Sequence, residues 1–419
     1  MKRRIIQYTT VVLAFLAGMI FMTYMTRMGN RDMTGDMAQA QLPVVHAEQD
    51  GVLYNEMHGY VEDMDGASMR DSVIGVSEDH KVGLALEKYN AQIKSVSYEV
   101  RSLDMSRLIE GGDDLQAEDD GKYLHISLTL KDLLTQGEEY LLVLKVQTED
   151  QDLVRFYSIL TYLGTNHVQD CVDFAQRFHE MTLTGDSDGV LNYLEQDGSM
   201  DGKNLGYINI HSRSGPVTWG DMQVEQIGDP SLRFTELESD ITALTMEYQV
   251  TNTETSEQYQ VREAYRLRYT STRIYLLAYE RWTDKILEPG RQLVEDGKLS
   301  FGIQSSEPVY MKNTEENVVG FVEQGQLWSY DYGQNRLSLV YGFTDGQDGR
   351  ADWKEHDFRL LKVDDTGSMD FLLYGYMNRG RYEGRSGVMF CHYDALMNTV
   401  EELFFVPSDQ SYTAMKEDI

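Results

Sequence analysis

The distribution of charged and uncharged positions first singles out the start of the chain. From Ile5 to Thr26 no residue carries a charge. A helix of this length is about 33 Å long, which matches the roughly 30 Å hydrocarbon core of a bilayer. Lys2, Arg3 and Arg4 come directly before it, and basic residues favour the cytoplasmic side. The pattern predicts residues 1–4 in the cytoplasm, one transmembrane anchor over residues 5–26, and an extracytoplasmic remainder.

A cleaved signal peptide is the alternative interpretation of this segment. Its apolar region should be about 7–15 residues long, with a small-residue cleavage site close behind. Here the uncharged run is longer, and the candidate sites at residues 38–40 and 45–47 lie well beyond it. The sequence therefore favours an anchor that stays in the membrane.

After the anchor, the pattern predicts a tether and then a first domain. Residues 27–80 are polar and weakly patterned, which indicates a flexible tether with one short strand near residues 51–60. Between residues 81 and 165 apolar positions recur every second residue, as at Val96, Tyr98 and Val100. Alternation over several short segments separated by turn residues predicts an antiparallel β-sandwich-like domain.

At His167 the apolar spacing becomes helical. The residues that recur at this spacing are Val168, Cys171, Phe174, Ala175, Phe178 and Met181, and Gly185 ends the run. Several strand-like segments follow, so residues 166–287 are predicted to form an α+β domain with a helix and then an antiparallel meander. This order of elements resembles the cone-shaped nuclear-transport-factor-like and cystatin-like domains. The resemblance implies a cavity in the cone and, with it, a small-molecule sensor as one possible function.

Residues 288–419 show a repeating pattern of short apolar strands and glycine-containing turns. Strand groups near residues 318–341 and 357–405 resemble blades of a β-propeller. A closed propeller needs about four blades, so this region is predicted to be incomplete. A truncated chain, another kind of sheet stack and completion by a partner all remain open. The whole chain is thus predicted to be mainly β and multi-domain.

Composition excludes several classes of function. There are 37 Lys and Arg residues against 69 Asp and Glu residues, which gives a formal net charge of -32. Nucleic acid is excluded as a partner, because binding its phosphates requires clustered basic residues. The chain contains 2 cysteines, Cys171 and Cys391, far apart in sequence, so neither a disulfide framework nor a four-cysteine metal site is expected.

Several local patterns are weighed as candidate chemistry and set aside. An acidic loop resembles a calcium site in composition but not in ligand spacing, so a solvated loop is favoured; its acidic residues are Asp345, Asp348, Asp352 and Glu355. His167 and Cys171 are four residues apart on the predicted helix, but a buried thiol is favoured over a metal ligand. His356-Asp357 lacks a G-x-S-x-G nucleophile motif to complete a triad. We predict no catalytic residue, metal or cofactor.

One unusual stretch stands out in this acidic chain, between Tyr374 and Arg385. Arginines can hold carboxylates with two hydrogen bonds, and tyrosines offer stacking faces. We identify as candidate ligand or partner contacts Tyr374, Tyr376, Arg379, Arg381, Tyr382 and Arg385. The alternative is a long hairpin whose arginines pair with local carboxylates.

Taken together, these features predict a membrane-tethered, extracytoplasmic, non-catalytic binding or regulatory protein of a bacterial cell envelope. Its expected partners are the membrane, through the single anchor, and another envelope or membrane protein. The layout of one N-terminal anchor and a β-rich outer portion resembles the YycH-type accessory proteins of Firmicutes. That resemblance implies regulation of a membrane sensor kinase. An envelope glycan-acting enzyme is the rival prediction, and it would need two carboxylates about 5–9.5 Å apart in a cleft.

Overall fold

The computed structural model describes residues 38–131, 133–149, 153–198, 204–287, 294–295, 298–344 and 349–418. Strands dominate these residues and form several separate sheets, so the prediction of a mainly β chain is confirmed. No helix among them is long and apolar enough to cross a membrane. The predicted anchor, Ile5–Thr26, lies outside the described residues and stays a prediction.

The first domain contains ten strands in two sheets. The strands are β1 Val44–Gln49, β2 Val52–His58, β3 Val73–Ser77, β4 Lys81–Glu87, β5 Ile93–Arg101, β6 Leu108–Gly112, β7 Ala117–Asp119, β8 Tyr123–Thr129, β9 Glu139–Thr148 and β10 Val154–Gly164. One sheet has the order β2-β1-β4-β8-β7 and the other β3-β10-β9-β5-β6. Strands pair antiparallel except β3, which runs parallel to β10, so the predicted purely antiparallel arrangement needs this correction.

The tether prediction for residues 27–80 is corrected by β1, β2 and β3. The hairpin of β1 and β2 turns at Asp50 and Gly51, which both have positive φ, at 52° and 82°. Asp-Gly is the preferred pair for such a two-residue turn, because both central residues must adopt a left-handed conformation. β1 then lies between β2 and β4, and Val44 and Val45 are completely buried. Residues 44–77 are therefore part of the first domain, and residues 27–37 lie outside the described residues.

The middle domain places one long helix against an antiparallel sheet. Its elements are α1 Val168–Leu183, α2 Ser187–Leu191, β11 Tyr207–Asn209, α3 Ser214–Val217, β12 Val224–Leu237, β13 Ile241–Asn252, β14 Gln258–Tyr269 and β15 Ile274–Lys285. The sheet order is β11-β15-β14-β13-β12. The helix predicted from the apolar spacing is present, and the residues of its apolar stripe are buried except Met181, which is partly exposed. Phe178 packs on Tyr279, with ring centroids 4.9 Å apart, so α1 covers one face of the sheet.

Asn55 joins the first and middle domains. This residue is fully buried in β2 and has a φ of 52°. Its amide nitrogen donates to the Val73 carbonyl at 2.8 Å, and its amide oxygen accepts from the Phe234 backbone N–H at 2.7 Å. One side chain therefore links β2, β3 and β12.

The remaining strands form a short hairpin and two four-stranded sheets. The hairpin contains β16 Val294–Glu295 and β17 Lys298–Leu299. The four-stranded sheets contain β18 Val309–Lys312, β19 Val318–Glu323, β20 Gln326–Asp331 and β21 Arg336–Tyr341, then β22 His356–Val363, β23 Met369–Tyr376, β24 Ser386–Asp394 and β25 Thr399–Ser408, and the last helix is α4 Tyr412–Asp418. In both four-stranded sheets the strands are neighbours in chain order, as in a meander.

The domain boundary predicted at residue 288 needs a correction. The chain divides into two compact units, of which one contains Gln39–Pro308, Tyr374–Val388 and Val406–Ile419, and the other contains Val309–Leu373 and Met389–Phe405. Within the larger unit the backbone N–H of Val61 donates to the Gly384 carbonyl at 2.9 Å. Such contacts join residues more than 300 positions apart in sequence, so local patterns do not reveal them.

Candidate functional site

The structure builds most of the predicted Tyr374–Arg385 contact segment into the larger unit. Tyr376 is 1% exposed, and its hydroxyl donates to the Gly59 carbonyl at 2.8 Å. Tyr374 is buried, with its ring 6.2 Å from that of Tyr412. Arg379 is 4% exposed. These three side chains do not form an open contact surface.

The other members of this segment are more accessible. Arg385 forms an ion pair with Glu62, so its partner is a carboxylate 323 positions away in sequence and not a local one. Arg381 is exposed and lies over the half-exposed Tyr382 ring at 5.3 Å. Contact by Arg381 and Tyr382 stays a prediction, while the rest of the segment holds the chain in place.

The structure also places the other sequence candidates. Cys171 is completely buried and burial raises the pKa of its thiol, while His167 stacks on Tyr269 at 3.5 Å. His356 is buried and its Nε2 donates to the Gly325 carbonyl at 3.0 Å. Asp345 and Asp348 lie outside the described residues. Within the described part of the chain, no group of three His, Cys, Asp or Glu side chains could hold a metal ion.

A polar cluster that the sequence patterns did not indicate lies between α1 and the sheet. His179 Nδ1 is 3.1 Å from Glu263 Oε2, and its Nε2 is 2.6 Å from Gln226 Oε1. Hydroxyls of Tyr265 and Tyr279 donate to the same Glu263 carboxylate at 2.6 and 2.8 Å. Glu263 is completely buried, so these bonds replace the water that a carboxylate would otherwise need.

Glu263 and His179 hold each other in their charged forms. Burial alone would raise the pKa of Glu263, but its hydrogen bonds and its attraction to His179 outweigh burial and lower it. Burial would likewise lower the pKa of His179, but the bond to Glu263 outweighs it and raises the pKa. Because Glu263 stays ionised, it is not the carboxylic acid of raised pKa that a glycan hydrolase would use. The cluster fixes α1 on the sheet.

An open groove lies next to this cluster, along the part of α1 that contains Phe174 and Phe178. Tyr193 meets the Phe174 ring edge-on, at 5.3 Å and 85°, and the Phe178 ring at 5.9 Å and 79°. All three rings line a cavity of about 300 Å³ along α1. Phe174 and Tyr193 also line a second cavity of about 540 Å³ that extends to Arg273 and Leu276. The two cavities share Phe174, Arg177 and Tyr193, so they are neighbours, and we refer to them together as the groove. Its size is in the range of ligand sites in proteins.

The rim of the groove carries charges of both signs. Arg177, Glu180, Glu195 and Arg273 are exposed lining residues. Among the residues that the structure describes, none of these four has an ion-pair partner. Arg177 Nε donates to the Asp173 carbonyl at 3.2 Å, and the Arg273 guanidinium lies over the Tyr275 ring at 3.9 Å. By contrast, Arg266 in the same domain binds Glu236 through two bonds of 2.9 Å.

The start of β15 forms one wall of the groove and presents a strand edge. β11 pairs with β15 only at residues 280–282, and the Ile210 N–H donates to the Tyr279 carbonyl at 2.9 Å. On that side of β15, residues 274–278 have no strand partner in the described part of the chain. An unpaired strand edge offers N–H and C=O groups to a ligand backbone. The groove thus combines aromatic surface, unpaired charges and a free edge.

This groove was missed by sequence reasoning. Arg273 and Tyr275 lie in a segment that was interpreted only as a strand. Tyr193 lies ten residues after Leu183, the last residue of α1. The one available signal was the concentration of aromatic residues in the α1 stripe and in the segment after it. Its pairing with the start of β15 exists only in the folded chain.

No family model and no curated protein matches this sequence. Among solved structures, one crystal structure of an engineered protein is 13% identical, covers 29% of this chain and 20% of its own, and has a TM-score of 0.18. CopC from Methylosinus trichosporium OB3b is 15% identical over 26% of this chain and 100% of its own, with a TM-score of 0.17. Similarity at this level carries no argument about function.

Proposed function

We propose that this chain is a membrane-tethered, extracytoplasmic, non-catalytic binding protein of a bacterial cell envelope, and that the groove beside α1 contacts its partner. The anchor predicted over residues 5–26 and the net charge of -32 support the location. The groove supports the binding role, because it combines exposed charges that have no ion-pair partner among the described residues with a strand edge that has no strand partner there. That groove is the observation on which the proposal depends.

The two four-stranded meanders support a binding role in a more general way. We interpret them as blades of an incomplete propeller, since strands that follow chain order from one edge to the other are typical of blades. In this proposal the protein contains several β-rich binding modules and no catalytic one. Regulation of a sensor kinase, as in the YycH-type proteins, is one form that such binding could take. A cytoplasmic segment of residues 1–4 is too short to signal alone, so regulation would pass through the partner.

The location is tested on intact cells that produce the full chain. Thr255 is exposed at the turn between β13 and β14, and Thr255→Cys introduces an accessible thiol, whereas Cys171 and Cys391 are buried. We expect a membrane-impermeant maleimide to label the variant in intact cells and to leave the wild type unlabelled. Labelling that requires cell lysis would contradict an extracytoplasmic location.

The contact face is tested by photo-crosslinking in the native membrane. A photoreactive amino acid replaces Tyr275, which is exposed in the groove, or Thr255 as the matched control outside it. We expect a discrete crosslinked protein from position 275 and much less of it from position 255. Equal crosslinking from both positions would rule out the groove as the contact face.

A further inference from the structure

The groove beside α1 has the features of a site for an extended peptide. We propose that it binds a peptide segment of a partner protein as an added strand on the free edge of β15, with an apolar side chain on Tyr193 and Phe174 and acidic side chains toward Arg177 and Arg273. This inference specifies the ligand class of the site in the proposed function and therefore rests on that proposal.

The strand edge supports binding through the ligand backbone. Residues 274–278 are the first five residues of β15 and precede residues 280–282, which pair with β11. At about 3.3 Å per residue this edge is about 17 Å long, enough for a short strand. Strand addition to such an edge uses main-chain hydrogen bonds for affinity and leaves alternate side chains to provide specificity.

A second chain segment lines the cavity beside this strand edge. Residues 192–195 line the same 540 Å³ cavity as Arg273 and Leu276. Glu195 is held by its backbone N–H, which donates to the Ile210 carbonyl at 2.9 Å, while the Ile210 N–H donates to Tyr279. This segment is thus connected to β15 through Ile210, next to the residues of β15 that pair with β11.

The charges favour a peptide over a simple anion or cation. Arg177 and Arg273 would attract carboxylates, while Glu180 and Glu195 on the same groove would repel a ligand that carries negative charge alone. A peptide can present both signs at separate positions. Although the whole chain has a net charge of -32, screening limits its repulsion to about 8 Å at physiological salt, so the rim charges decide at contact.

The test uses the full chain in lipid nanodiscs and a displayed library of random 12-residue peptides. We expect enriched peptides to contain an aromatic or aliphatic residue close to Asp or Glu. Arg177→Gln and Arg273→Gln should each weaken the binding of an enriched synthetic peptide about five-fold. Arg213→Gln, at an exposed arginine of the same domain outside the groove lining, is the matched control and should leave binding unchanged.

A backbone N-methyl scan of the enriched peptide tests strand addition itself. Methylation should weaken binding at least about ten-fold at alternate residues and have little effect at those between, because every second N–H of an added strand faces the edge. Loss of this alternation, failure to enrich any peptide, or full competition by benzoate, which would indicate a small-anion site, would each overturn the inference.

The failures of this inference and of the proposed function are distinguishable. If the peptide binds with the expected pattern but the thiol is labelled only after lysis, the extracytoplasmic location is wrong and peptide binding in the groove is supported. The opposite outcome is labelling in intact cells and a crosslinked partner at position 275, with peptide binding unaffected by Arg177→Gln, Arg273→Gln or N-methylation. That result would support the proposed function and contradict strand addition.

Discussion

At the scale of single residues, the His179–Glu263 pair makes stability depend on pH in two directions. The pKa of His179 is raised on folding, so its contribution is complete below its ordinary value of about 6.5 and is lost as pH rises through the folded value. The pKa of Glu263 is lowered on folding, so its contribution is present above about 4.5 and is lost as pH falls through the folded value. The pair therefore stabilises most between about pH 4.5 and 6.5.

The variant Glu263→Gln tests this pair. It leaves His179 buried without its carboxylate, and breaking a buried pair from one side typically costs about 3–5 kcal/mol. We expect the free energy of unfolding to fall by about that amount at pH 6, with a smaller difference at pH 8. Denaturant titration of both proteins at the two pH values measures it, and Glu254→Gln, at an exposed glutamate, is the control. Equal stability of variant and wild type at pH 6 would contradict the assigned pair.

His356 gives a second pH dependence, with a single sign. Burial lowers its pKa to about 4, so the folded protein keeps the ring neutral while the unfolded chain binds a proton below about pH 6.5. Stability should therefore fall as pH falls from 6.5 to 4, by about 3 kcal/mol. His356→Gln keeps a donor for the Gly325 carbonyl and should remove this loss. Calorimetry from pH 4 to 7 measures this loss, and His392→Gln, at a half-exposed histidine, is the control. If stability in His356→Gln depends on pH as it does in the wild type, the assignment to His356 is wrong.

Residue identity alone did not indicate which side chains reach the surface. The Tyr374–Arg385 stretch was selected because arginine and tyrosine are common contact residues, yet Tyr376 and Arg379 are buried. Conversely, Glu263 lies in sequence on the same every-second-residue row as Val261 and Tyr265, but its strand pattern does not show which side chains bind its carboxylate. Burial depends on which segments pack against each other, and residue type does not specify that.

At the scale of elements, Asn55 controls how three strands meet. Asn55→Ala removes both of its buried hydrogen bonds and leaves the Val73 carbonyl and the Phe234 N–H unsatisfied. It also places alanine at a φ of 52°, which favours asparagine and glycine. We expect a loss of about 3 kcal/mol, because each buried group left unpaired costs about 1–3 kcal/mol.

Thermal unfolding of the full chain measures the effect of Asn55→Ala. Asn90→Ala is a suitable control, since Asn90 makes a single described bond, to the Ala40 carbonyl at 3.0 Å, and is more exposed. If Asn55→Ala lowers the unfolding temperature no more than the control does, the hydrogen bonds of Asn55 do not stabilise the contact between the two domains.

The sequence predicted the type of most elements better than their pairing. The apolar spacing located α1, because a helix covering a sheet shows its buried stripe directly. It missed β1 and β3, although Asp50-Gly51 is a strong hairpin signal between apolar runs. The parallel pairing of β3 with β10 could not be predicted, since it joins strands about 85 residues apart, as in the Ile74–Leu160 pair.

At the scale of the whole molecule, the larger unit depends on chain segments from the end of the sequence. Glu383 accepts the backbone N–H groups of Gln41 and Leu42 at 2.7 and 2.9 Å, and Tyr376 binds the Gly59 carbonyl. Truncation after Pro308 removes these partners and about 1 kcal/mol for each lost bond, together with the apolar contacts of Tyr376 and Met415. We expect a chain of residues 1–308 to unfold about 10 °C lower than the full chain.

Calorimetry and limited proteolysis of the two chains check this expectation. Arg381→Gln in the full chain is the control, because Arg381 is exposed in the same terminal segment. If residues 1–308 unfold at the same temperature as in the full chain, the terminal segments are not part of the unit's stability.

The sequence by itself determined the mainly β composition, the helix of the middle domain and, as a prediction, the anchor, because each of these is recorded in neighbouring residues. Only the tertiary structure decided which segments pair, which polar groups are buried and where the groove lies. Arg177, Tyr193 and Arg273 line one groove because α1, the segment after it and β15 converge. Convergence depends on contacts between residues distant in sequence, and local periodicity contains no information about them.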